Sequence, residues 1–169
     1  MKVLKYVIWI FLLFLLQTVS MNYIAPFGFR PDLILSFVVI VAIKEDTLKN
    51  SMLISIICAV AAGALSGKNF SFCVLFYTYV GAVVFGTRKY PRYVPHLAKI
   101  PFWTFVSAIV GESVSYLLLY SSVKWFVKAF FVHILPTAFI TTAAGMIIYF
   151  IASKTLFGKR KIMGRLITK

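Results

Sequence analysis

Six apolar runs, separated by short stretches that hold most of the charges, constrain this chain more than any other feature. An α-helix rises about 1.5 Å per residue, so about 20 apolar residues cross the roughly 30 Å of hydrocarbon in a bilayer, and about 17 are the practical minimum. The pattern predicts an all-α integral membrane protein, with residues 1–169 forming a single domain that is a six-transmembrane-helix bundle. The predicted spans are 6–22, 31–44, 51–65, 70–86, 101–120 and 133–153.

Composition excludes a soluble domain. Hydrophobic residues make up 62% of the chain and charged residues 13%, against roughly half and a quarter in ordinary globular proteins. Lys2 and Lys5 before the first run also fit a signal peptide. We favour a span, because the following segments are apolar as well and leave no soluble domain of useful length.

The charges define the loops and the orientation. Residues 44–50 carry four charges, each costly in hydrocarbon, so the second and third runs form a hairpin of two short helices, which implies local thinning of the bilayer or cover by neighbouring protein. With the N-terminus inside, 14 Lys and Arg residues are cytoplasmic. This asymmetry predicts that both termini are cytoplasmic. The four outside are Arg30, Lys68, Lys124 and Lys128.

The net charge of +14 does not indicate nucleic-acid binding here. The basic residues lie between apolar runs and in the tail 159–169, where they set topology and contact anionic lipid headgroups. The loop 88–96 mixes basic and aromatic residues and is typical of an interfacial anchor, with docking of a cytoplasmic partner as the alternative. Residues 122–131 predict a short interfacial helix on the outer leaflet, and Pro101 is expected at the first position of the fifth helix.

Polar groups inside the predicted spans are few. Glu112 is the one carboxylate well inside a span, and His96 and His133 are predicted on opposite sides of the membrane. No catalytic set, paired carboxylate, metal-ligand spacing or cofactor motif is present, so we expect no enzyme, no metal and no cofactor. Glu112 is either a substrate, proton or partner site, as ionisable groups at that depth often are, or a carboxyl group satisfied by neighbouring hydroxyls.

Two further sets of residues are candidates for binding a partner or for holding the helices of the bundle together. Ala59, Gly63 and Gly67 recur every four residues and share a helix face that lets another backbone approach closely, inside the bundle or on a partner. Arg30, Pro31 and Asp32 open the second helix. Pro is favoured at a helix start and Asp meets the positive end of the helix dipole, while Arg30 either pairs with Asp32 or contacts lipid or protein.

Three short motifs carry a resemblance that runs over nearly the whole chain. They are the Arg30-Pro31-Asp32 opening of the second helix, the Ser66-Gly67 turn after the third, and Leu135-Pro136-Thr137-Ala138 in the last. With six short helices and little loop, the chain resembles the MreD family of rod-shape-determining proteins.

This resemblance implies a non-enzymatic scaffold in the bacterial cytoplasmic membrane. The expected partners are an MreC-like bitopic protein and, directly or through it, MreB, RodA and a penicillin-binding protein, in the machinery of cell elongation and lateral peptidoglycan synthesis. The layout is also similar to the substrate-binding subunits of energy-coupling-factor vitamin transporters. A transport subunit should aim several polar side chains from different helices at one outward cavity.

Overall fold

The computed structural model describes residues 2–23, 30–66, 70–88, 95–120 and 126–156, and those residues are helical apart from short connections. Apolar runs of this length satisfy their backbone hydrogen bonds internally as helices, which is the requirement of a lipid environment. The helices are α1 (Lys2–Tyr23), α2 (Leu33–Lys44), α3 (Leu48–Ser66), α4 (Phe70–Thr87), α5 (His96–Tyr120), α6 (Phe126–Ala129) and α7 (Leu135–Thr155), with a π-helical turn (Phe130–Ile134) between the last two.

The outer surface of the bundle is apolar. Four segments are long and apolar enough to cross a membrane, namely Leu48–Leu65, Phe70–Thr87, Leu97–Leu118 and Phe126–Thr155, and two shorter apolar helices accompany them. Many large apolar side chains, such as Leu75, are exposed on this surface, which suits a surface that faces lipid. The chain is therefore a helical membrane protein, as the sequence predicts.

The short helix α2 lies at the centre of the bundle. It contacts α1, α3, α4, α5 and α7, and every residue from Ile34 to Ile43 is buried. Its sequence has no polar face, which is the pattern of a helix buried on all sides. Twelve residues span only about 18 Å at about 1.5 Å each, which is less than the roughly 30 Å of the hydrocarbon core. The neighbouring helices surround this short helix on all sides.

The helix α5 begins earlier than predicted. Its first residue is His96 and Pro101 lies inside the helix, so the expectation that Pro101 occupies the first position is wrong. The turn starts at Pro95, whose carbonyl accepts hydrogen bonds from the backbone N–H groups of Ala98 at 3.0 Å and Lys99 at 3.2 Å. Pro101 is tolerated because the carbonyl that it leaves without a donor, that of Leu97, lies near the helix start.

The last apolar run also starts earlier than predicted. From Phe126 to Thr155 it is one continuous helical segment, so the described part of the predicted interfacial helix is joined to the final span. Pro136 explains the π-helical turn, because proline lacks an N–H and its ring crowds the preceding turn of the helix. The ladder widens there, and the N–H of Leu135 bonds to the carbonyl of Phe130, five residues back.

Candidate functional site

The start of α2 is fixed by Asp32. Asp32 is the N-cap residue, and its carboxyl oxygen Oδ1 accepts a hydrogen bond from the N–H of Leu35 at 2.8 Å. This satisfies one of the four N–H groups that a helix start leaves without a partner. The prediction that Asp32 starts the second helix is confirmed, and Pro31 lies buried just before it.

Asp32 also joins α2 to two other helices. The hydroxyl of Tyr77 in α4 donates to Asp32 Oδ2, and the Asp32 N–H donates to the hydroxyl Oγ1 of Thr141 in α7 at 3.1 Å. Ser36, one turn further along, donates through its hydroxyl to the carbonyls of Asp32 at 3.0 Å and Thr141 at 3.2 Å. The same few polar groups therefore cap α2 and hold α4 and α7 against it.

Gln17 attaches α1 to the same point. Its amide nitrogen Nε2 donates to the carbonyl of Pro31 at 2.9 Å, and its oxygen Oε1 accepts from the N–H of Leu33 at 2.9 Å. Sequence reasoning did not select Gln17, Tyr77 or Thr141. A signal existed for Gln17, because an amide within an apolar run is costly unless it is hydrogen bonded.

Of the two alternatives for Arg30, the structure does not show the ion pair with Asp32. Among the described residues no ion pair joins Arg30 to Asp32, whose carboxyl group is hydrogen bonded to Leu35 and Tyr77 instead. Arg30 is exposed and lines the cavity described next. Arg30 and Asp32 therefore line the same cavity without forming an ion pair.

A cavity of about 180 Å³ lies beside the start of α2. Its polar lining comes from five segments and consists of Gln17, Arg30, Asp32, Cys73, Tyr77, Glu112, Ser115 and Thr141. Phe72, Phe76, Ile34, Leu35, Ala62 and Ala108 are among the apolar lining residues. The cavity is therefore lined by both polar and apolar side chains.

Glu112 lines this cavity together with Asp32. The sequence interpretation left Glu112 without a second carboxylate, and the structure corrects it. The two residues are 80 positions apart in the sequence, and the fold brings both to the lining of one cavity. Among the described residues no group donates a hydrogen bond to Glu112, so its carboxyl group holds no helix in place.

The small residues of α3 lie inside the bundle as far as the structure describes them. Ala59 is fully buried and Gly63 is buried as well. A Cβ atom at Gly63 would come within 2.7 Å of the Phe70 ring in α4, so this face packs against a neighbouring helix of the same chain. Gly67 lies outside the described residues.

The opposite end of α2 carries a second polar cluster. Tyr6 donates to the Glu45 carboxylate, and the Arg88 guanidinium donates to the carbonyls of Glu45 and, at 3.0 Å, of Asp46. The ammonium of Lys99 donates to the Arg88 carbonyl at 2.8 Å. A cavity of about 90 Å³ nearby is lined by Tyr6, Glu45 and Asn50 and otherwise by apolar side chains.

The fold and these two clusters define a helical membrane protein built around a short buried helix, with a polar cavity at the start of that helix. In residues 2–23, 30–66, 70–88, 95–120 and 126–156, no group of three or more His, Cys, Asp or Glu residues is placed to hold a metal ion. No family model, curated protein or solved structure matches the chain.

Proposed function

We propose that this protein is a non-enzymatic scaffold of the bacterial cell-elongation machinery, of the kind that the resemblance to the MreD family implies. One observation carries the proposal. The helix that Arg30, Pro31 and Asp32 open contacts α1, α3, α4, α5 and α7, so the motif on which the resemblance depends lies at the start of the central helix of the bundle. A motif with that position sets the arrangement of the helices that a partner meets.

The polar contacts support a scaffold rather than an enzyme. The polar side chains at the start of α2 hold helices to each other: Gln17 joins α1 to α2, and Asp32 joins α2 to α4 and α7. Groups committed to such contacts give a rigid platform. On this proposal the protein regulates cell shape and lateral peptidoglycan synthesis by binding an MreC-like bitopic protein, and through it MreB, RodA and a penicillin-binding protein.

The proposed topology has six spans in the cytoplasmic membrane with both termini inside. The distribution of Lys and Arg, 14 inside and 4 outside, supports this orientation. It puts the start of α2 and the larger cavity on the outer side, and the cluster around Glu45 and Arg88 on the cytoplasmic side.

The test is co-purification of the full chain with a single-span MreC-like protein, together with depletion in a rod-shaped host. We expect stoichiometric recovery of the partner and rounding of depleted cells. Asp32→Ala should reduce partner recovery, whereas Asp32→Asn, which keeps a good N-cap side chain, should retain it. Unchanged cell shape after depletion, with no partner recovered, would contradict the scaffold role.

A second candidate function has one observation in its favour. The polar lining of the 180 Å³ cavity comes from α1, the opening of α2, α4, α5 and α7, which is the arrangement expected of a substrate-binding subunit of a vitamin-type energy-coupling-factor transporter. Recovery with an ATPase-linked transport module, or tight binding of a vitamin, would favour this candidate over the scaffold.

A further inference from the structure

One carboxyl group lining the cavity at the start of α2 accepts no hydrogen bond from the residues that the structure describes. The carboxyl group of Asp32 accepts hydrogen bonds from Leu35 and Tyr77, so each of its two oxygens already has a donor. Within the part of the chain that the structure describes, nothing donates to Glu112, which faces the same space and is partly buried. A carboxylate removed from water is costly unless a donor or a cation compensates it.

The charges around the cavity select the kind of group that Glu112 would bind. Two carboxyl groups and one guanidinium line it, so the acidic side chains of the lining outnumber the basic one. A hydrogen bond between an ammonium and a carboxylate is roughly twice as strong as a bond between neutral groups. A compound with a primary ammonium therefore compensates Glu112 better than a neutral or anionic compound does.

The volume of the cavity and its apolar lining residues limit what the rest of the ligand can be. A volume of about 180 Å³ is about six times the roughly 30 Å³ that one water occupies in the liquid, which is enough for a small solute. Phe72, Phe76 and Ala108 line it and offer contact to a short hydrocarbon portion. The exposed Arg30 is placed to meet an anionic substituent.

We propose that this cavity is a binding site for a small compound carrying a primary ammonium, with Glu112 as the group that binds the ammonium. The inference goes beyond the scaffold role and does not depend on it. The ammonium comes from a free solute or from the headgroup of phosphatidylethanolamine, since both present the same group.

The first test is ligand-observed NMR on the full chain in detergent free of phosphatidylethanolamine, with n-butylammonium as the probe and n-butanol and butyrate as comparison compounds. We expect binding of n-butylammonium that is at least about tenfold tighter than that of either comparison compound, which corresponds to about 1.4 kcal/mol. Glu112→Gln should weaken it by a similar factor. Asp46→Asn removes an exposed carboxylate outside the cavity and should leave it unchanged.

A second readout needs no cavity variant. Cys73 lines the cavity and Cys58 is fully buried outside it, so modification of Cys73 by a thiol reagent should slow when n-butylammonium is added. Slower modification in nanodiscs containing phosphatidylethanolamine than in nanodiscs of phosphatidylglycerol, without added probe, would identify the headgroup as the source. Equal modification in the two, with protection by the free probe, would identify a solute.

The proposal is overturned if n-butanol binds as tightly as n-butylammonium, if a folded Glu112→Gln variant binds the probe as wild type does, or if the probe neither binds nor protects Cys73. None of these results bears on partner recovery. The ammonium site and the scaffold role therefore fail separately.

Discussion

The two ends of α2 are built from the same pair of groups and have different surroundings. A tyrosine donates to a carboxylate at each end, Tyr77 to Asp32 at the start and Tyr6 to Glu45 after the last turn. Beyond Glu45, the cations Arg88 and Lys99 donate to backbone carbonyls. Beyond Asp32 lies a cavity that also contains Glu112.

The difference lies in how the charges are compensated. Behind Glu45, the Arg88 guanidinium also packs 3.8 Å from the centre of the Phe85 ring, and a cation placed after the last turn meets the negative end of the helix dipole. At the start of α2 the acidic side chains outnumber the basic one. At the Glu45 end the protein's own cations donate to the backbone carbonyls, whereas at the Asp32 end no described residue donates a hydrogen bond to Glu112.

The largest effect on stability is expected at Asp32. Asp32→Ala removes the N-cap and leaves the Tyr77 hydroxyl without its acceptor, so the free energy of unfolding in detergent should fall by about 2–4 kcal/mol. Asp32→Asn retains an N-cap oxygen and should cost less than about 1 kcal/mol. Equal losses in the two variants would show that the negative charge, and not the cap, holds this end together.

Arg88→Ala is expected to have the next largest effect. Two carbonyls lose a charged donor, and the loss should be about 1.5–3 kcal/mol in the same unfolding measurement. Arg88→Lys keeps the charge but not the two-armed geometry, so it should fall between wild type and Arg88→Ala. A loss below about 0.5 kcal/mol for Arg88→Ala would mean that Arg88 does not hold the Glu45 end of α2 in place.

The two tyrosines form a matched pair of smaller changes. Tyr77→Phe and Tyr6→Phe each delete one hydroxyl that donates to a carboxylate, so each should lower the free energy of unfolding by about 1–2 kcal/mol. Tyr77→Phe should also alter n-butylammonium binding, because Tyr77 lines the larger cavity, and Tyr6→Phe should not. An equal effect of both variants on binding would remove the distinction between the two ends.

The smallest effect on stability is expected at Glu112. Glu112→Gln breaks no hydrogen bond among the described residues, so the free energy of unfolding should stay within about 0.5 kcal/mol of wild type. Thermal unfolding in detergent measures it. A loss above about 2 kcal/mol would show that Glu112 holds the bundle together, and its role as a ligand group would then be withdrawn.

Much of this fold could be predicted from local patterns. The uniformly apolar run 33–43 and the charged residues after it place a short helix and a hairpin, and Asp after Pro places the N-cap. The first residues of α5 and α7 could not be predicted, because proline is compatible with both a helix start and a position within the first turns. In the structure α5 begins with the hydrogen bonds to the carbonyl of Pro95. The π-helical turn before Pro136 joins α7 to α6.

The cavity could not be predicted from sequence for a different reason. Asp32 and Glu112 come from segments far apart in the chain, and their proximity depends on how deep a short helix begins and on which faces of α4 and α5 turn inward. A single sequence carries no direct signal of either. Gln17 was the accessible clue, since a buried amide requires partners and those partners lie at the start of α2.

The most direct measurement uses Cys73 as a native probe of the cavity. Intact cells are treated with membrane-impermeant thiol reagents of similar size, one carrying a trimethylammonium and one a sulfonate, and modification is followed by mass spectrometry, with Cys58 as the buried control and Cys73→Ser as the blank. We predict that Cys73 is modified from outside, faster by the cationic reagent, while Cys58 is not. Protection of Cys73 from both reagents, or faster reaction with the anionic one, would contradict an outward cavity that selects cations.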